Sequence, residues 1–506
     1  MRVGGRLWSF RLVSGVLLAG VLAALVLVFG VGAASAVTVV NCGLPGGSAA
    51  FQAALTAGGP VSVSGTCVGT FTAPVSVVVT GSPVATLTAQ GAGRTLTIGS
   101  GATVTLSNLA ITGGHASGGG PAGAGGGILS FNATLTLNNC VITGNTAATA
   151  GGGIVTGTLS PVSAGMLTLN SSRVTNNVAQ GLGGGGGGGI LNHNGTAVLN
   201  GSVVSGNTGP GGGGIASGNG NGGLGGGGTL TITGSQISGN TANAGPEGGG
   251  GGIANGGDLT LTASSVTGNQ AAGGAGGGIL NHGTASISAS AVSGNAAPND
   301  SLADQGIGGG IFNGNFGVPG HGVVSITDSQ VTKNTAGLGG GISSGAFQGD
   351  ASVTIANTMV SFNSVSGPMS GGGGIANQSG AGNADLTITG STMVGNLARQ
   401  GLGGAIANVS QGGIATVAVA STTIGSTTPH PPYTLNPNQA AFGAGIFNWS
   451  MAGPAAAVLN PGAVIVGNKA SVDGGGVYNA DGATLTTSGA LVLLNHPDNI
   501  VNDPNF

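Results

Sequence analysis

A six-residue phrase, G-[G/A]-[G/A]-[I/V]-x-[N/S/T], recurs twelve times between Gly125 and Asn479. Its aliphatic residue stands at Ile128, Ile154, Ile190, Ile215, Ile253, Ile279, Ile311, Ile342, Ile375, Ile406, Ile446 and Val477. The residue two places on is always polar: Ser at 130, 217 and 344, Thr at 156, and Asn in the other eight copies. A second phrase, [L/V]-x-[I/L]-x-x-[S/T]-x-[V/I]-x-x-N, alternates with it, and Leu230 to Asn240 shows it whole. Its closing Asn falls at 145, 177, 207, 240, 269, 295, 334, 363, 396, 468 and 495, and Gly114 and Thr427 take that place in two further copies. A unit this short cannot bury its own apolar face, so the copies must stack on one another.

Successive aliphatic anchors are 25 to 40 residues apart. The constant parts are short and the excess lies between them, as in a solenoid whose turns share one cross-section and carry insertions. Each repeat offers three period-2 segments, I-x-N, L-x-I and S-x-V, which read as strands. The Gly runs and Gly-Asn pairs between them read as turns. Three strands per turn, each stacked on its equivalent, predict an all-β fold: a parallel β-helix of about 12–13 turns, roughly 60 Å long. The usual crossover hand makes it right-handed.

This arrangement assigns the residues. Ile128 and its equivalents form one aliphatic column, and Val266, Val292 and Val331 belong to a second. The recurring turn Asn can form an amide ladder in which each side chain donates to the next. Cys140 replaces the small inward residue that is Ser172, Ser202 or Ser235 in other copies, so it is expected to be buried rather than catalytic. Ala254, one place after Ile253, is expected to face outward and to tolerate a charge.

Arg2, Arg6 and Arg11, an apolar stretch from Val16 to Phe29 and the small-residue site Ala34-Ser35-Ala36 predict a secretory signal over residues 1–36. The alternative is retention of the segment as an N-terminal anchor, since the apolar run approaches spanning length. No later segment could span a membrane as a helix. Export makes a Cys42–Cys67 disulfide the expected use of those cysteines. Between them, Ser48 to Ala57 reads as the one short amphipathic helix, with Phe51 and Leu55 four apart. Residues 37–70 are therefore expected to form an N-terminal cap, 71–113 irregular early turns within a solenoid spanning 71–495, and 496–506 a C-terminal tail with loop chemistry.

Charge excludes several functions. The chain has 8 Lys and Arg, 11 Asp and Glu, and 114 Gly among 506 residues. Loss of residues 1–36 would leave 5 basic groups, too few for a nucleic-acid surface. Matches to G-x-G-x-x-G are as common as Gly itself, and no G-K-[S/T] follows them, so no nucleotide and no cofactor is expected.

The repeats resemble those of bacterial polymorphic outer-membrane proteins, whose passenger regions carry G-G-A-[I/L] and F-x-x-N tetrapeptides. Gly403-Gly404-Ala405-Ile406 matches the first, and Val331-Thr332-Lys333-Asn334 is the local form of the second. More broadly, residues 104–495 are similar to the right-handed β-helices of the pectate-lyase superfamily. That resemblance implies the fold, and with it a range of lyases, hydrolases, adhesins and scaffolds. No alternating barrel pattern follows residue 495, so outer-membrane anchoring is not expected to carry over.

Enzymes of this fold that act on acidic polysaccharides need clustered carboxylates, or a cation site beside a basic residue. Beyond residue 36 the chain has Glu247 and ten Asp, and no acidic residue recurs at one strand position in adjacent turns. Gly320-His321-Gly322 is similar to one short polygalacturonase motif, without its partner motifs. Asp300 and Asp304 share a loop and could touch Ca²⁺, though two solvated loop acids are the simpler reading. His193 and His282 share a repeat offset but lie three turns apart, too far to share a metal. Outward Thr residues at 136, 168, 231, 260 and 387 suggest an interfacial or ice-active array, which Val198 and Ser286 interrupt. No catalytic and no metal-binding residue is assigned. The reading is a secreted or surface-exposed bacterial scaffold that binds glycans or cell-envelope polymer. The alternative is a polysaccharide lyase or glycoside hydrolase. The best-localised ligand candidates are His430, Tyr433, Phe447 and Trp449, around the longest inter-anchor gap and its Pro431-Pro432 pair.

Overall fold

The computed structural model describes residues 36–157, 165–181, 186–218, 227–243, 249–298, 306–314, 321–367, 370–426 and 436–506. The expected signal, up to residue 35, lies outside them. Among the described residues no helix is long and apolar enough to cross a membrane.

One turn runs through four short strands: Ile253–Asn255, Asp258–Thr262, Ser265–Thr267 and Gln270–Ala271. Each lies parallel and in register on its equivalent in the next turn, so Ile253 meets Ile279, Leu261 meets Ile287, Val266 meets Val292 and Gln270 meets Ala296. The chain is an all-β parallel β-helix. Three of the four strands are the period-2 segments of the sequence. The fourth is two residues long, too short for an alternation to register. Its mark is a buried small residue two places after the turn Asn, as at Ala147, Ala179, Ala242 and Ala271.

The strands stack into three parallel sheets. The I-x-N strands form a 15-stranded anchor sheet. Twelve of its strands carry the Gly-Ile phrase; Phe71–Ala73 and Leu96–Ile98 precede them and Ile500–Asp503 follows. The L-x-I and S-x-V strands share a bent 29-stranded sheet, and the two-residue strands form a 12-stranded one. The Ile, Leu and Val columns of all turns close one continuous core. The Gly runs have a steric cause. A Cβ on Gly277 would collide with the backbone of Ala296 and the carbonyl of Gly309, and Gly276 has a φ of +70°.

Three polar ladders line this core. At the corner before the two-residue strand, amides connect Asn145 through Asn177, Asn207, Asn240 and Asn269 to Asn495, and Asn499 accepts the last bond. This corner ladder passes through Asn438, not Thr427. Thr427 lies outside the described residues, and the insertion there falls before the corner, which displaces a count made from the preceding strand. A hydroxyl ladder at the bend links Ser172, Ser202, Ser235, Ser264 and Ser290 by backbone N–H to Oγ bonds. Cys140 begins it: its backbone N–H donates to Ser172 Oγ, and its buried thiol contacts the carbonyls of Leu106 and Asn138. The third, the anchor ladder, stacks Asn255, Asn281 and Asn313, then Asn377, Asn408, Asn448 and Asn479.

Both ends differ from expectation. Residues 37–70 are not a separate cap, because Thr38–Asn41 and Gly59–Ser64 already pair in the long bent sheet. Only the helix Gly47–Ala57 serves as a cover; it buries Phe51, Ala54 and Leu55 and sets Phe51 edge-on to Phe71 at 5.1 Å. Cys42 and Cys67 are joined by a disulfide with a Cα–Cα distance of 4.9 Å. Residues 71–113 are more regular than predicted, with one register shift between Thr80 and Ala85. The tail 496–506 contains the last anchor strand, whose Val501 meets Tyr478. Ile500-Val501-Asn502 is the I-x-N phrase without its glycines, and for that reason it escaped the repeat count.

Ala254 also departs from expectation. It points away from the main core, yet it is fully buried in a second apolar layer with Ala275, Leu280 and Phe312. The middle residue of the I-x-N phrase is apolar in eleven of twelve copies, Ser343 being the exception. That bias was the available signal for a covered outer face.

Candidate functional site

Among the described residues two features stand out as candidate ligand surfaces: a groove along the bend of the 29-stranded sheet, and a ring cluster near the C-terminus. At the bend, one residue before each ladder Ser takes a left-handed conformation, for example Ala263 at φ 48° and Ala289 at φ 47°. Non-Gly residues resist this region by about 1–2 kcal/mol. The following Ser offsets that cost, since Ser264 Oγ donates to Thr262 O and its backbone N–H donates to Ser290 Oγ. Repeated over five turns, the bend leaves a groove of about 570 Å³ lined by the segments at Gly201–Val203, Gly234–Gln236, Ala263–Ser265, Ala289–Ala291 and Asp328–Gln330. Five rungs span roughly 20 Å. Gln236, Ser265 and Gln330 supply donors and acceptors, and Asp328 is the one charged group of the lining. Sequence reasoning missed this groove, because it arises from a backbone bend common to every turn rather than from a distinctive motif.

The ring cluster contains Phe442, Phe447, Trp449, Tyr478 and Phe506. Phe447 and Tyr478 occupy the outward middle position of adjacent anchor strands and stack at 5.7 Å with an interplanar angle of 11°. Trp449 Nε1 donates to Asp481 Oδ2 and the Tyr478 hydroxyl donates to Asp503 Oδ2, each at 2.6 Å. Burial pushes the Tyr478 hydroxyl far above its usual range, and Asp503 adds to the shift, with Asp473 and Asp481 acting in the same sense. The same hydrogen bond holds the Asp503 carboxyl below its usual value, so it is a poor proton donor.

The sequence-derived candidates divide. His430 and Tyr433 lie outside the described residues, as do Glu247, Asp300 and Asp304. Phe447 is fully buried and supports the cluster from beneath. Trp449 is half-buried, with its N–H committed to Asp481. His321 stands 3.4 Å from Asp350, both exposed. His193 and His282 each pack a ring against a different aromatic, Phe131 and Phe312. Among the described residues no group of three His, Cys, Asp or Glu could hold a metal ion. Arg94 is of the residue type a lyase base requires, but its Nε and Nη2 donate to the backbone carbonyls of Pro121, Ala122, Ala124 and Gly125, which is structural work. The outward hydroxyl row Thr231, Thr260, Ser286, Ser325, Thr354 and Thr387 is in register over six turns, bounded by Val198 and Ala418.

No family model matches the sequence, and no curated protein does. Among solved structures, tailspike protein 3 of bacteriophage CBA120 aligns with 91% of this chain at 10% identity and a TM-score of 0.32; the chain spans 59% of that protein's length. A variant of the periplasmic alginate epimerase AlgG aligns with 86% of this chain and 77% of its own at 9% identity, TM-score 0.29. PfbA, a surface adhesin of Streptococcus pneumoniae, aligns with 92% of this chain and 91% of its own at 10% identity, TM-score 0.21.

Proposed function

We propose that the protein is a secreted or surface-exposed scaffold that binds neutral glycan, free or within the cell envelope, along the bend groove without catalysing its cleavage. One observation carries this reading: the groove spans five turns and offers Gln, Ser and backbone groups with a single carboxylate. Uncharged amides and hydroxyls suit a ligand made of hydroxyls, directly or through water. Its length accommodates a short run of sugars rather than a single ring. In the Trp449 region the half-buried rings of Phe442, Trp449 and Phe506 are packed on one another rather than laid open to a sugar face, and Asp503 there lacks the raised pKa of a general acid.

The test is a glycan-array screen of the full chain, repeated with Gln236→Ala/Gln330→Ala. The double variant should lose at least about tenfold in affinity for any neutral oligosaccharide bound by the parent. Unchanged affinity would place the binding elsewhere. New reducing ends or unsaturated sugars on prolonged incubation would replace the scaffold reading with that of a hydrolase or lyase.

A further inference from the structure

We propose that the C-terminal ring cluster is a binding site for an organic ammonium cation, with Phe506 as its displaceable occupant. The Phe506 ring lies 5.2 Å from Phe442 and 5.4 Å from each of Phe447, Trp449 and Tyr478, centroid to centroid. Four rings, three from the segment Phe442–Trp449 and one from the next anchor strand, thus meet at one place, each edge-on or face-on to Phe506 at 65–87°. Their π-systems are electron-rich on their faces, and a ring-lined pocket of this kind attracts a cation as well as another ring.

The rim supplies matching charge. Asp481 and Asp503 anchor Trp449 and Tyr478 by hydrogen bonds, and Asp473 lies close enough to bear on the same tyrosine hydroxyl. Among the described residues none of these three carboxylates forms an ion pair. The hydrogen bonds to Trp449 and Tyr478 cancel no charge, so the rim stays anionic while the walls stay apolar. That combination selects by hydration. A small inorganic cation keeps its water and gains little from ring walls, whereas an alkylated ammonium is weakly hydrated and gains both ring contact and Coulomb attraction. The bend groove, with one carboxylate and no ring in its lining, lacks this chemistry, so the two sites are independent.

Phe506 competes for the central place, so its removal should tighten binding. The test titrates the full chain with tetramethylammonium chloride, with sodium chloride at equal ionic strength as reference, and follows tryptophan emission. Trp8 and Trp449 are the two tryptophans, so Trp449→Phe identifies which one responds. The expected result is a saturable change specific to tetramethylammonium, absent in Trp449→Phe, with an affinity about tenfold higher in Phe506→Ala. Asp481→Asn should weaken binding by a similar factor. Binding seen only in Phe506→Ala would support the site, with Phe506 as a full block. Equal responses to the two salts, or none in either parent or Phe506→Ala while circular dichroism stays unchanged, would overturn it.

Discussion

Asn240 and Asn281 are both fully buried in stacks of asparagine, one in the corner ladder and one in the anchor ladder. Asn240 Oδ1 accepts from both the backbone N–H and the side-chain amide of Asn207, at 3.0 and 2.9 Å. Its own amide donates to Asn269 Oδ1 and to Val204 O. Asn281 Oδ1 accepts from the Asn255 amide, while its Nδ2 donates to Asn313 Oδ1 and to two carbonyls. The corner amide thus satisfies a main-chain donor that the turn itself cannot; the anchor amide satisfies only side chains and carbonyls that have other partners. The sequences of the two ladders differ accordingly. The corner ladder is Asn at every described step from Asn145 to Asn495, and the anchor ladder is interrupted by Ser130, Thr156, Ser217 and Ser344. The interruptions leave marks: the hydroxyls of Ser130, Thr156 and Ser344 and the Oδ1 atoms of Asn192, Asn255 and Asn377 are buried without a hydrogen-bond partner.

The same substitution in both ladders separates the two roles. Asn240→Ser should cost about 3 kcal/mol, because it strands the Asn207 backbone N–H in a dry interior and removes the amide bonds to Asn207, Asn269 and Val204, while Asn269 Oδ1 keeps the backbone N–H of residue 240 and the Asn207 amide keeps Val174 O. Chemical denaturation should show the fall as a lower midpoint at unchanged slope. Asn281→Ser should cost about 1–2 kcal/mol, since the Asn255 amide keeps Gly257 O and Thr284 O. Equal losses would mean that the backbone bond at the corner is not what distinguishes the ladders. The smallest effect has the opposite sign. Ser344 lies in register between Asn313 and Asn377. Ser344→Asn should add about 1 kcal/mol by giving Asn377 Oδ1 a donor and the Asn313 amide a further acceptor. A lower thermal midpoint for that variant would show that the gap is too narrow for an amide, and that its serine is there for space.

Most of the architecture was legible in the sequence because stacking forces each position to repeat its chemistry. The Ile, Val, Ser and Asn columns each occupy one phase of the repeat, and a single phase carries a single environment. What the phrases did not disclose had a local cause. The two-residue strand at Gln270–Ala271 is shorter than one period of alternation. Ile500–Asp503 lacks the glycines that identified its eleven Ile equivalents. Ala254 reads as surface by alternation alone, whereas its burial comes from residues such as Phe312 and Ala275 in neighbouring turns. Of the ligand candidates, Trp449 was visible as a rare aromatic. Its partners Asp481 and Phe506 come together only through the register of the last turns, which the spacing of Trp449 from any motif does not encode.

The amide-to-amide bonds of the corner and anchor ladders all run in one direction, from each Nδ2 to the Oδ1 of the next turn toward the C-terminus. Backbone bonds between turns run both ways, as Asp258 N to Gly228 O and Ile253 N to Gly278 O show, so they largely cancel along the axis. The side-chain amides do not cancel. Each has a dipole of roughly 3.5 D by analogy with the peptide unit, and aligned head to tail they give the rod an electrical polarity, positive toward its C-terminal end. Asp473, Asp481, Asp498 and Asp503 all lie in the last 34 residues, at that positive end. The solenoid therefore places four of its ten Asp carboxylates where a helix would place a bound anion, with stacked side chains in the role of the peptide bonds.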